Sequence, residues 1–227
     1  MNAVVNAEIA RFNMIEQQIR PWDVLDTHIL ALLNTVPREQ FVPSAHQALA
    51  FSDLEIPLLH PAAEGQCMLA PRVEARLLQD LQIKPTDHVL EIGTGSGYMA
   101  ALLAHLARRV TTVEINQTLA ANARDTLESA KIQNVDVILG DGSQVDTWRK
   151  SGPFDVIVLS GSVAALPMAW LEFLKPGGRL VGIAGQKPVM CATFVTKGDN
   201  DSSQTTTPWD TVAPRLMGFP EPSKFSF

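Results

Sequence analysis

The chain has too few cysteines for a disulfide framework: Cys67 and Cys191 are the two in 227 residues. That scarcity fits a reducing compartment, and the cytoplasm is the expected location. No apolar run reaches the roughly 18 residues that would span a bilayer. The N-terminal MNAVVNAEIARF lacks a basic start leading into an apolar core, so neither a membrane segment nor a secretory signal is expected. Positive charge is also short. Lys and Arg number 18 against 24 Asp and Glu, a net charge of -6, which argues against dependence on nucleic-acid phosphates. The five histidines, His28, His46, His60, His88 and His105, show no ligand spacing and have no cysteine pair beside them. No metal is therefore expected. A G-x-x-x-x-G-K-[ST] loop is absent, which excludes P-loop chemistry, and there is no internal repeat or low-complexity tract. What remains is an ordinary globular composition, 46% apolar and 19% charged. A chain of this length buries about 70% of its unfolded surface and needs no staples.

The middle of the chain carries the organisation. Strand-like apolar runs begin near His88 (HVLEI), Val110 (VTTVEI), Val135 (VDVIL), Asp155 (DVIVLS) and Arg179 (RLVGIA). Each gap holds one helix and two short loops, with residues 98–108 and 118–130 as the clearest helices. Strands alternating with helices at this rhythm imply βαβ units and a parallel sheet. The runs are almost continuously apolar, as strands covered on both faces are. Residues 1–75 lack the alternation, are punctuated by prolines and read as a mostly helical cap on a 76–227 domain. Near the C-terminus, VMCATFVT and WDTVAPRL read as an antiparallel pair at the sheet edge, joined by a mobile polar loop (KGDNDSSQTTTP).

The chemistry concentrates at the turn after the first run, Glu91-Ile92-Gly93-Thr94-Gly95-Ser96-Gly97-Tyr98. Glycines there allow a tight turn and close approach of a ligand at a helix N-terminus. In a doubly wound sheet this turn opens on the crevice outside the strand ends. Glu114 closes the next strand 21 residues after Gly93, where a carboxylate accepts from both ribose hydroxyls. The dinucleotide pattern G-x-G-x-x-G would need glycine at Tyr98. Glu91 before the loop repels a pyrophosphate but suits a ligand with a cationic amino group. Asp141-Gly142 closes the third strand, where an acidic side chain accepts from an adenine amino group. Three acidic groups at three successive strand ends point to S-adenosylmethionine, with Glu91, Gly93, Thr94, Gly95, Gly97, Glu114, Ile115, Asp141 and Gly142 as the expected binding set.

The segments VLEIGTGSGYMAALLA, TVEI, NVDVILGDG, PFDVIVLSG and LKPGGRLVG, in this order, resemble the protein-L-isoaspartate O-methyltransferases. So do QQIR at residues 17–20, VPREQFVP at 36–43, and GQCMLAP at 65–71. The resemblance implies a class I methyltransferase fold, a Rossmann-like, mostly parallel seven-stranded sheet with an N-terminal subdomain over the site. It also implies methyl transfer to the free carboxylate of L-isoaspartyl residues in damaged proteins. The family's acceptor loop reads G-Q-T-I-S-x-P, which places Gln66, Cys67, Met68 and Leu69 in that loop, with Ser160 facing it.

Leu69 stands at the family's serine and cannot hydrogen-bond a carboxylate, so no catalytic side chain is assigned there. A carboxylate acceptor is already a nucleophile, and backbone N–H groups of residues 66–69, with Gln66 or Ser160, are left to position it. Arg72 is expected to make a solvated surface contact, His88 to cap its strand or face solvent, and Met14, Ile15 and Trp22 to pack the N-terminal helix. Cys67 is expected to be a small buried thiol. After the fourth strand comes Leu159-Ser160-Gly161-Ser162 rather than the Asn/Asp-Pro-Pro-aromatic turn of amino-directed nucleic-acid methyltransferases. Transfer to another carboxylate, and binding of the cofactor without catalysis, stay open as alternatives.

Overall fold

The computed structural model describes residues 2–59, 65–199 and 202–222, with side chains from residue 6 onward. His60, and Asn200 and Asp201 of the expected polar loop, lie outside the described residues. The chain opens with helices α1 (Asn2–Met14) and α2 (Thr27–Thr35), then the two-residue strands β1 (Ile56–Pro57) and β2 (Cys67–Met68), then α3 (Pro71–Leu81). There follow β3 (His88–Ile92), α4 (Tyr98–Leu106), β4 (Arg109–Glu114), α5 (Gln117–Ser129) and β5 (Val135–Leu139). The chain continues through β6 (Phe154–Val163), β7 (Leu174–Gln186), β8 (Val189–Lys197) and β9 (Ser203–Thr211).

Seven strands form one sheet in the order β5-β4-β3-β6-β7-β8-β9. The β5 to β7 half is parallel, and β8 and β9 run antiparallel to their neighbours. This is the Rossmann-like sheet the apolar runs imply. All five runs are strands, and β3, β4, β6 and β7 are buried on both faces, whereas β5 at the sheet edge is half-buried or exposed along its length. Leu90 and Ile92 pack with Ile157, Leu159, Leu180, Trp148 and Trp170. On the other face Val89, Val156, Val158 and Val181 pack with Leu102 and Leu103 of α4. Helix starts follow local chemistry. Asn116 caps α5 by accepting from Thr118 N–H at 2.9 Å and Leu119 N–H at 3.2 Å, and Pro71 opens α3 where its missing N–H costs nothing.

The last strand departs from expectation. It begins at Ser203, inside the stretch read as loop, and ends at Thr211, so residues 212–216 of WDTVAPRL continue as an irregular segment. Its side chains are mostly exposed on the open edge, which removes the apolar signal. The N-terminal region is mostly helical as expected. Its residues Leu30, Leu33, Phe41, Leu77 and Leu78 share one core with Val89 and Leu102, and the position between residues 75 and 76 falls inside α3. Met14 and Ile15 are buried, whereas Trp22 is 43% exposed and covers the Arg72 guanidinium at 4.2 Å. His88 is a correction: it is 6% exposed, with Nε2 3.2 Å from Thr111 Oγ1 and its ring 4.8 Å from Phe154. Burial lowers its pKa.

Candidate functional site

The turn after β3 is built around Glu114. One carboxylate oxygen accepts from Gly95 N–H at 2.8 Å and the other from Asn116 N–H at 3.0 Å. The end of β4 is thereby locked to the glycine loop, where Gly93 and Gly97 take φ of +94 and +84. Beside Glu114 stand Ile115, 40% exposed, and Leu119. Gly142 follows β5, and a Cβ there would lie 2.5 Å from Ile92 Cγ2. These residues, with Gly93, Gly95, Gln66, Cys67 and Ser160, line one cavity at the carboxyl ends of the parallel strands.

Six of the expected residues sit behind that lining rather than in it. Glu91 is fully buried beneath the turn. It accepts from Ser160 Oγ and from Thr112 Oγ1, both at 2.7 Å, and Thr94 Oγ1 is a further 2.7 Å from Thr112 Oγ1. Burial pushes the Glu91 carboxyl up to about 7, against the two hydrogen bonds. Glu91 therefore orients Ser160 rather than meeting a ligand directly. Gly97 packs against Leu127 and Ala123 of α5. Asp141 accepts from Ser143 N–H at 2.9 Å and lies against Gly218. Met68 and Leu69 are the remaining two.

The loop expected to meet the acceptor is held from both sides. Leu58 N–H donates to the Gln66 carbonyl at 3.0 Å, and β1 pairs with β2 in the register Ile56–Met68. The Gln66 side-chain oxygen accepts from Asn116 Nδ2 at 3.4 Å, joining the loop to the capped α5. Met68 and Leu69 face inward; Leu69 is 7% exposed within the main core. Its carbonyl accepts from Arg38 Nη2 at 3.0 Å, while Arg38 Nη1 donates to the Ala50 carbonyl at 2.9 Å. Arg38 itself is fully buried. Cys67 is half-buried, with Sγ 3.8 Å from Glu55 Oε2, and burial together with Glu55 pushes its thiol up to about 12. It is a protonated thiol, not a nucleophile. Arg72 pairs with Asp53 at 2.5 Å and stacks on Trp22, which corrects the solvated contact expected of it. QQIR enters a π-helical turn at Ile15–Ile19, from which Gln18 accepts from Asp53 N–H at 2.8 Å and donates to the Phe51 carbonyl at 3.3 Å.

Eight lining residues lie outside the expected set: Gly65, Ile92, Val113 and Leu119, which are close in sequence to expected ones, and Leu58, Arg215, Leu216 and Met217, which are not. The last three belong to a C-terminal segment without hydrophobic periodicity, and its contacts with the cavity's other walls, at Ser162, Gly93 and Asp141, are distant in sequence.

A family model described as Protein-L-isoaspartate(D-aspartate) O-methyltransferase matches residues 10–212. The chain is 38% identical over 197 residues to Protein-L-isoaspartate O-methyltransferase 2 of Geotalea uraniireducens, covering 87% of this chain and 88% of that one. It is 41% identical over 189 residues to the Koribacter versatilis Protein-L-isoaspartate O-methyltransferase, covering 82% and 81%. In fold it is similar to a Plasmodium falciparum structure described as a protein-L-isoaspartate O-methyltransferase in complex with S-adenosyl-L-homocysteine. That match has a TM-score of 0.75 at 18% identity, over 92% of this chain and 97% of the other. The fold, the glycine turn locked by Glu114 and the sequence identity over most of its length agree: the chain belongs to the protein-L-isoaspartate O-methyltransferase family.

Proposed function

We propose that the cavity beside Glu114 binds S-adenosylmethionine and directs its methyl group to the free carboxylate of an L-isoaspartyl residue in a damaged protein or peptide. As a member of its family the chain is an S-adenosylmethionine-dependent carboxyl methyltransferase. The observation that carries the substrate reading is the convergence of Glu114, Ile115, Gln66 and Ser160 on one cavity at the strand ends. The residue types suit the cofactor. Glu114 offers carboxylate oxygens to ribose hydroxyls, Ile115 an apolar face to adenine, and Asp141 a carboxylate near the adenine end. The Ser160 hydroxyl gives its hydrogen to Glu91, so its lone pairs are free to accept from a cationic amino group.

The cofactor supplies a methyl group made electrophilic by a sulfonium, and the acceptor's ionised carboxylate attacks it without a general base. The protein's part is proximity, alignment and exclusion of water. With Leu69 turned into the core, Gln66 and the backbone of its loop position the acceptor. Residues 1–75 serve as the cap over this site. Two unpaired cysteines support residence in a reducing cytoplasm, and among the described residues no helix is long and apolar enough to cross a membrane.

The test is transfer of label from S-adenosylmethionine to an isoaspartyl peptide, with the matching aspartyl peptide as control. Base-labile label on the isoaspartyl peptide alone is expected. Cofactor binding without transfer to either peptide would overturn the isoaspartyl acceptor.

A further inference from the structure

The segment after residue 212, where the family match ends, lines the cavity through Arg215, Leu216 and Met217. Ser162 N–H donates to the Pro214 carbonyl at 2.7 Å, and Leu216 N–H donates to the Ser162 carbonyl at 2.9 Å. These two bonds lay residues 214–216 along the end of β6 as a short parallel bridge. Ser162 Oγ adds a third, to the Ala213 carbonyl at 2.8 Å. The Leu216 side chain then drops onto the glycine turn. A Cβ at Gly93 or at Gly161 would lie 2.8 Å from Leu216 Cδ2, so both positions accept nothing larger than glycine while the leucine is in place. Two residues on, Gly218 presses against the carboxylate of Asp141, and a Cβ there would be 2.6 Å from Oδ1. Phe219 closes the crossing by packing on Trp170, ring centroids 5.6 Å apart.

The segment therefore touches the turn after β3, the end of β6 and the turn after β5, the three strand ends that bound the cavity. Beneath it the cavity measures about 70 Å³. Pockets that enclose ligands of cofactor size run from roughly 300 to 1,000 Å³. The lining chemistry suits the cofactor, but the space under Leu216 and Met217 does not hold it.

We propose that residues 213–219 are a strap closed over the cofactor pocket of the free protein, which must shift outward before S-adenosylmethionine binds. This rests on the cofactor reading above. The strap is built to move. Two backbone bonds and one hydroxyl hold it to β6, Met217 at its middle is 47% exposed, and Gly218 at φ +84 supplies a bend beside its aromatic anchor. Arg215, which donates to the Gly185 carbonyl at 3.1 Å and pairs with Glu221 at 2.7 Å, latches the closed form to the end of β7.

The test locks the strap. An ideal Gly161 Cβ lies 2.8 Å from Leu216 Cγ, near the roughly 3 Å that separates a Cβ from the far sulfur of a disulfide. Gly161→Cys combined with Leu216→Cys should cross-link on oxidation, with the single Leu216→Cys variant as control for Cys67 and Cys191. Calorimetric titration with S-adenosylmethionine is expected to show affinity in the oxidised double variant at least about tenfold below that of the same protein after reduction. Separately, Phe219→Ala should tighten S-adenosylmethionine binding at least about threefold by the same titration, because a weakened anchor favours the open, binding-competent form. Equal affinity in the locked and reduced forms would overturn the strap while leaving the cofactor reading intact, as would unchanged affinity in Phe219→Ala. Absence of binding to the parental protein would overturn both.

Discussion

Arg38 donates to the Leu69 carbonyl at 3.0 Å, and the same guanidinium donates to the Ala50 carbonyl at 2.9 Å. A fully buried cation thus ties the loop that precedes α3 to the middle of the cap. Replacing it with Met would keep the volume but leave two carbonyls unbonded. Arg38→Met is expected to cost about 3–5 kcal/mol in urea denaturation. Arg38→Lys should recover only part of that, since an ammonium lacks the planar fork that serves both carbonyls.

The same tie explains why Leu69 faces the core. Restoring a hydroxyl by Leu69→Ser would place an unpartnered polar group among Leu and Val side chains and open a void. The expected result is a loss of about 2–5 kcal/mol in stability with no gain in isoaspartyl turnover. A rise in turnover with stability unchanged would show that the loop turns outward when a ligand is bound.

Glu91 sets a pH dependence. Its carboxyl is pushed from 4.5 up to about 7 in the folded chain, so the native state holds a proton that the unfolded state has released. Its contribution to stability is complete below about pH 4.5 and is lost as the pH rises through 7, on the order of 3 kcal/mol in all. Denaturation midpoints measured between pH 5 and 8 should fall with that slope. The slope should flatten in Glu91→Gln, which keeps an acceptor for one of the two hydroxyls.

Glu114 does two jobs, fixing the Gly95 and Asn116 N–H groups and facing the cavity. Glu114→Ala should weaken S-adenosylmethionine binding at least about tenfold, or about 1.4 kcal/mol, by calorimetric titration. Loss of two backbone partners should also raise amide exchange at Gly95 and Asn116.

Much of the fold was legible because β3, β4, β6 and β7 are buried on both faces, and such strands carry continuous apolar runs. Strand β9 was displaced because its Ser, Gln and Thr side chains lie on an exposed edge, where backbone pairing alone makes the strand. The cavity at the strand ends was legible from Glu114, Gly93 and Gly142, which line it from their places at those ends. Glu91 shares such a place but points beneath the turn, and side-chain direction is set by pairing with Thr112 and Ser160 rather than by its own position. Leu69 and Arg38 show the same limit. An arginine in VPREQFVP gives no sign of burial until the carbonyls it serves are brought together. The strap left no local signal at all: Pro214, Leu216 and Gly218 gain their meaning only from Ser162, Gly93 and Asp141.

The placement of β3 at the middle of the sheet sets a timetable for the ribosome. One neighbour, β4, follows closely, but the other is β6, which begins at Phe154. The glycine turn after β3 is made early and its far wall, Ser160, roughly seventy residues later. During that interval a strand buried at every residue has one edge unpaired, and its Leu90–Ile92 face lacks Ile157, Leu159 and Leu180. Non-local pairing of this kind is slow and exposes surface prone to association. The nascent chain should accordingly be most vulnerable to aggregation between the emergence of residue 92 and that of residue 159, a window in which chaperone occupancy would be greatest.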